Sequence, residues 1–88
     1  MRRDTPREDT LTVQLEGGRG SPERVLILSR PHEGMVDVRE FALGGAEGGH
    51  REYTCAVGDV LAVVERAVRG RRRVSEDVST VRRWLDVP

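Results

Sequence analysis

The chain has 88 residues, of which 36% are hydrophobic and three are aromatic, enough for one domain with a small core. Its fifteen basic residues, all arginine, balance fifteen acids, and that neutrality argues against nonspecific nucleic-acid binding over the whole surface. A single cysteine, Cys55, excludes an intrachain disulfide, and no apolar run approaches the ~20 residues of a bilayer span, so a cytoplasmic protein is the expectation.

Residues 1–9 are charged, carry a proline and lack apolar periodicity, which predicts a flexible N-terminal arm ahead of a single domain over 10–88. Leu11, Val13 and Leu15 then alternate with polar residues, the pattern of a half-buried strand. A glycine-rich stretch ending in Ser21-Pro22 breaks it. Val25-Leu26-Ile27-Leu28 is a continuous apolar run, which predicts a strand covered on both faces. Pro31 and Gly34 end that strand, and the next runs from about Val36 to Leu43. Period-two geometry puts Asp37, Arg39 and Phe41 on one of its faces and Val36, Val38, Glu40 and Ala42 on the other.

Four glycines within residues 44–49 predict a hairpin loop, and His50 to Cys55 reads as the fourth strand. There Arg51, Tyr53 and Cys55 share one face, and His50, Glu52 and Thr54 the other. Val57, Val60, Leu61, Val64, Ala67 and Val68 recur at helical spacing. Asp59 suits the positive start of that helix, Arg66 and Arg69 its negative end, and Gly70 the C′ position. Arg71-Arg72-Arg73 leads to a second helix, with Ser75 as expected N-cap and Glu76 and Asp77 in its first turn. Val74, Val78, Val81 and Leu85 form one stripe, flanked by Trp84. The order β-β-β-β-α-α predicts an α+β fold: a four-stranded antiparallel sheet followed by two helices packed on one face.

The segment Met35-Val36-Asp37-Val38-Arg39-Glu40-Phe41, followed by a glycine-bearing hairpin, a strand and a helix, resembles the transcriptional coactivator p15 family (positive cofactor four) over residues 24–69. Members of that family are small homodimers that bind single-stranded DNA on curved sheets. The resemblance therefore implies a homodimeric, non-enzymatic DNA-binding protein with a role in transcription regulation. The strand after the hairpin, the opening of the helix and the absence of lysine depart from the family pattern.

Single-stranded nucleic acid needs aromatic platforms for bases and cations for phosphates. Phe41, Tyr53, Arg39 and Arg51 are the candidates on neighbouring strands, and Arg71, Arg72 and Arg73 form the densest basic run. The same aromatics equally suit a core or a dimer contact. The same arginines equally suit cross-strand pairs with Asp37, Glu40 or Glu52, or a solvated linker. His32, His50 and Cys55 lack the paired spacing of a zinc site, so no metal or other cofactor is expected. Ser29, His32 and Glu33 are close in sequence but form no recognised catalytic motif, and Gly17-Gly18-Arg19-Gly20 lacks the Lys-Ser/Thr of a P-loop.

The alternative function is a protein-interaction module: a regulatory subunit, inhibitor or adaptor. It is motivated by neutral charge, by the acidic middle over 31–60 and by the valine-rich helices, the C-terminal one being a candidate surface for a protein partner or a second copy. The two readings part on where the arginines lie after folding. Clustering on one face favours nucleic acid, and dispersal into cross-strand ion pairs favours the interaction module.

Overall fold

The computed structural model describes residues 10–17, 23–43 and 49–87, so the expected arm over 1–9 lies outside the described residues. Strands β1 (Thr10–Leu15), β2 (Glu23–Ser29), β3 (Met35–Leu43) and β4 (His50–Ala56) precede helices α1 (Val57–Arg69) and α2 (Val78–Trp84). The strands form one antiparallel sheet in the order β1-β2-β3-β4. This is the α+β arrangement expected from the alternation and helical spacing.

Register decides which side chains meet. Val13 lies opposite Leu26, Leu28 opposite Val38, and Val36 opposite Cys55. Opposed residues in an antiparallel pair share a face, so one side of the sheet carries Val13, Leu15, Leu26, Leu28, Val36 and Val38. All six are buried, together with Val60, Leu61, Val64 and Ala67 of α1 and Val81 and Leu85 beside them. Both helices therefore lie on the same side. The core is built from valine, leucine and alanine, and none of the three aromatics belongs to its fully buried set.

The β2–β3 connection is a tight hairpin. His32 and Met35 exchange two backbone hydrogen bonds of 2.8 and 2.9 Å across Glu33 and Gly34. Both central residues have positive φ, 55° and 77°, the geometry of a type I′ turn, and Gly34 meets it without strain.

Four local expectations are corrected. The apolar run in β2 is covered on one face only. Leu26 and Leu28 are buried, whereas Val25 and Ile27 are half-buried on the side that carries no helix among the described residues. Val68 is 46% exposed although it shares the angular arc of Leu61 and Val64; it stands in the last turn of α1, one residue from its end. Gly70 has φ −81°, and the left-handed C′ residue is Arg71, at φ 61°. The Arg72 N–H reaches the Ala67 carbonyl and the Arg71 N–H that of Val68, which is the Schellman pattern displaced by one residue. Finally, α2 starts at Val78 with Asp77 as N-cap residue. Ser75 is not a cap, because it is recruited to β1.

That recruitment closes one side of the sheet. The Glu16 N–H donates to the Arg73 carbonyl at 2.8 Å, and the Ser75 N–H to the Gln14 carbonyl at 3.0 Å. The Gln14 N–H in turn donates to Ser75 Oγ at 2.8 Å, and the Arg73 N–H to Glu16 Oε1 at 3.0 Å. Residues 73–75 thus lie along the outer edge of β1. Trp84 fastens α2 at the far end, donating from Nε1 to the Ser29 carbonyl at 3.2 Å beneath the Arg30 guanidinium. The apolar stripe of this segment turns inward, with Val81 and Leu85 buried in the chain itself.

Arg71→Gly is expected to stabilise the domain by roughly 1 kcal/mol, since a β-carbon in the left-handed region costs about that much and glycine avoids it. Thermal melts of both proteins check this; a lower melting temperature for the glycine variant would contradict it.

Candidate functional site

The two faces of β3 and β4 hold two different groups of polar residues. The covered face is apolar until it reaches Glu40. The next residue outward on this face of β3 is a carboxylate with 8% of its surface exposed. Burial of a charge is tolerable only with partners, and three converge. Arg51 Nη2 and Tyr53 Oη donate to Oε1 at 3.2 and 2.9 Å, and Arg24 Nη1 donates to Oε2 at 3.2 Å. Register explains the meeting: Glu40 lies opposite Arg51, and Arg24 and Tyr53 sit one ladder step away on the flanking strands.

Burial alone would push the Glu40 carboxyl upward in pKa. Hydrogen bonds from Tyr53, Arg51 and Arg24 and the Arg24 charge outweigh that penalty and hold it below the ordinary carboxylate value. The same contact acts oppositely on the phenol. Desolvation, then the hydrogen bond to Glu40 and its negative charge, push Tyr53 up to about 12. Arg51 also lies over the Tyr53 ring, 5.4 Å from its centre. Beside this cluster a small cleft of about 140 Å³ runs between sheet and α1, lined by Leu26, Tyr53, Cys55, Asp59, Val60 and Val63 among others. Burial raises the Cys55 thiol pKa, and the Asp59 charge adds to the effect.

Tyr53 is the chain's one tyrosine, so its ionisation can be read directly from tyrosinate absorbance. The midpoint is expected at about 12 in the native protein. Glu40→Gln should move it back toward the ordinary value, by removing a negative neighbour that opposes ionisation. An unchanged midpoint would mean that Glu40 does not hold the phenol. Because the folded value is raised, the neutral phenol's contribution to stability is complete below pH 10.0 and is lost as pH rises toward about 12.

Among the described residues, the opposite face carries no helix. Val25 and Phe41 are opposed at its centre, beside Ile27 opposite Arg39. Phe41 stacks on His50 of β4, with ring centres 4.6 Å apart and planes 13° from parallel. Arg39 is exposed, and lies across the ladder from Glu52. Thr54 Oγ1 donates to Asp37 Oδ1 at 2.6 Å, and the Asp37 N–H to Ser29 Oγ at 3.0 Å. A shallow depression of about 430 Å³ lies over Ser29, Asp37, Arg39, Glu52 and Thr54.

The structure therefore separates the residues expected to act together. Phe41 and Arg39 lie on the open face, and Tyr53 and Arg51 on the covered one. The two aromatics cannot form one stacking platform, and Arg51 is paired with Glu40. Arg71, Arg72 and Arg73 are exposed in the turn after α1, and the backbone of 71–73 is occupied in ending that helix and clasping β1. Sequence reasoning missed Arg24 and His50. Arg24 carries no local signal, because only the β2–β3 register brings it to Glu40. His50 could have been found: a hairpin across 44–49 places it opposite Phe41.

Among the described residues, no three His, Cys, Asp or Glu side chains converge as metal ligands, and no helix is long and apolar enough to cross a membrane. Compared with known proteins, the chain matches no family model, no curated protein and no solved structure.

Proposed function

We propose that this protein is a small non-enzymatic interaction module that holds a protein partner against the open face of its sheet. The observation that carries this reading is the composition of that face. A half-buried apolar centre of Val25, Ile27 and Phe41 is rimmed by Asp37, Arg39, His50 and Glu52, which include both signs of charge. An apolar centre with a mixed polar rim is the anatomy of a protein interface, whereas a phosphate backbone calls for an excess of cations. The dispersal of arginines supports the same reading: Arg24 and Arg51 pair with Glu40, and Arg82 pairs with Glu65 at 3.1 Å.

A second reading, single-stranded nucleic-acid binding of the p15-like kind with a role in transcription, is favoured by one specific observation. The Phe41–His50 stack beside Arg39 is a flat ring surface next to a cation, the combination on which bases stack. Under that reading Arg71, Arg72 and Arg73 supply phosphate contacts from a separate surface.

One pair of experiments separates them. A labelled single-stranded oligonucleotide is titrated with protein at about 50 mM and about 200 mM salt, the range over which phosphate contacts lose affinity steeply. Native protein and Ile27→Glu are also used as baits on lysate from the source cells. The interaction module predicts no salt-sensitive oligonucleotide binding, and a stoichiometric protein retained by the native bait and lost by the variant. Salt-sensitive binding abolished by Phe41→Ala would overturn it in favour of the second reading.

A further inference from the structure

The two edges of the sheet are treated differently. The outer edge of β1 is covered by residues 73–75. The outer edge of β4 pairs with nothing among the described residues. β4 is seven residues long, in unbroken register with β3, and contains no proline. An open edge of this kind is a template for another strand.

Which groups it offers follows from the ladder. The Ala42 N–H donates to the Gly49 carbonyl at 2.9 Å, and the Val57 N–H to the Gly34 carbonyl at 3.0 Å. These bonds bracket the β3–β4 register, so alternation turns the backbone of Arg51, Tyr53 and Cys55 toward β3. The N–H and C=O groups of His50, Glu52, Thr54 and Ala56 then point outward.

We propose that the β4 edge pairs antiparallel with β4 of a second copy, about a two-fold axis at Tyr53, making one continuous eight-stranded sheet. Symmetry and charge select this register. Centring on Tyr53 overlaps the full length of β4 and opposes Glu52 to Thr54, His50 to Ala56 and Arg51 to Cys55. Centring on Glu52 sets that carboxylate against its own copy, and one residue further back Arg51 meets Arg51; like charges directly opposed are destabilising. Centring on Thr54 shortens the overlap. On the helix side the Tyr53 rings, each 37% exposed, would meet across the axis. This inference concerns the edge, not the open face, so either proposal can fail without the other.

The test is sedimentation velocity on native protein and Glu52→Pro from about 1 to about 100 µM, with backbone amide exchange followed residue by residue. Proline at position 52 removes an outward donor without cutting the β3–β4 bonds, a placement edge strands tolerate. The native chain is expected at twice its 9.8 kDa, with the Glu52, Thr54 and Ala56 amides protected more strongly as concentration rises. Glu52→Pro should be a folded monomer with the native far-ultraviolet spectrum. Three results would overturn the proposal: a native monomer throughout the range, a folded Glu52→Pro dimer, or a native dimer in which those amides exchange freely. Should the variant not fold, the native mass and amide pattern still decide. Protection of those amides only when a foreign extended peptide is added would assign the edge to another protein.

Discussion

Leu28→Ala is expected to destabilise the domain by roughly 3 kcal/mol, the cost of deleting most of a fully buried leucine and leaving a cavity. Leu28 is completely inaccessible, in the second strand, with Leu11 and Val38 across its two ladders. Domains of this size have only about 5–10 kcal/mol of stability in total. The loss is a large fraction of that, and should lower the melting temperature by about 12–24 °C. Val25→Ala, three residues earlier in the same strand but on the open face, should cost about 1 kcal/mol or less, since its side chain is already half in water. Urea unfolding of the pair measures the asymmetry between the two faces. Equal losses would mean that the helices do not define the only packed side.

Glu40→Ala ranks second, at about 2 kcal/mol near neutral pH. It removes the acceptor for three donors at once, but the guanidinium groups it frees can regain water, because the Arg24 and Arg51 side chains are 38% and 71% exposed. Glu40→Gln keeps the shape and loses the charge, which gives it a distinct signature in acid. The folded carboxyl titrates below its ordinary value of 4.5, so its contribution is complete above that value and is lost as pH falls through the depressed folded value. The gap in unfolding free energy between native protein and Glu40→Gln should therefore be at its full width above pH 4.5 and narrow as pH falls below that value. A gap independent of pH would show that the carboxylate's charge contributes nothing.

What the sequence revealed and what it concealed divide along a physical line. Alternation in β1, β3 and β4 needs only nearest neighbours, and the faces assigned to Asp37, Arg39, Phe41, Arg51 and Tyr53 follow from it. The convergence of Arg24, Arg51 and Tyr53 on Glu40 depends on register between strands, which no local pattern states. The Ser75-Glu76-Asp77 signal is a good helix start in isolation, but the backbone groups of Gln14 and Glu16 compete for Ser75 and Arg73, and the helix waits until Val78. The run 25–28 is apolar on both faces although one has no helix over it among the described residues, and that excess is what motivates an external partner.

The clasp of residues 73–75 on β1 has a consequence for how the chain acquires its structure. Neighbouring strands of the meander meet through short connections, so their pairing can begin as soon as each hairpin has been synthesised. The clasp instead joins groups 57 and 61 positions apart, a closure that local pairing does not assist. During translation the first strand must therefore wait with one side unpaired until the segment beyond α1 has left the ribosome. For that interval the nascent sheet carries two open edges, and residues 73–75 act as the latch that closes the one at β1.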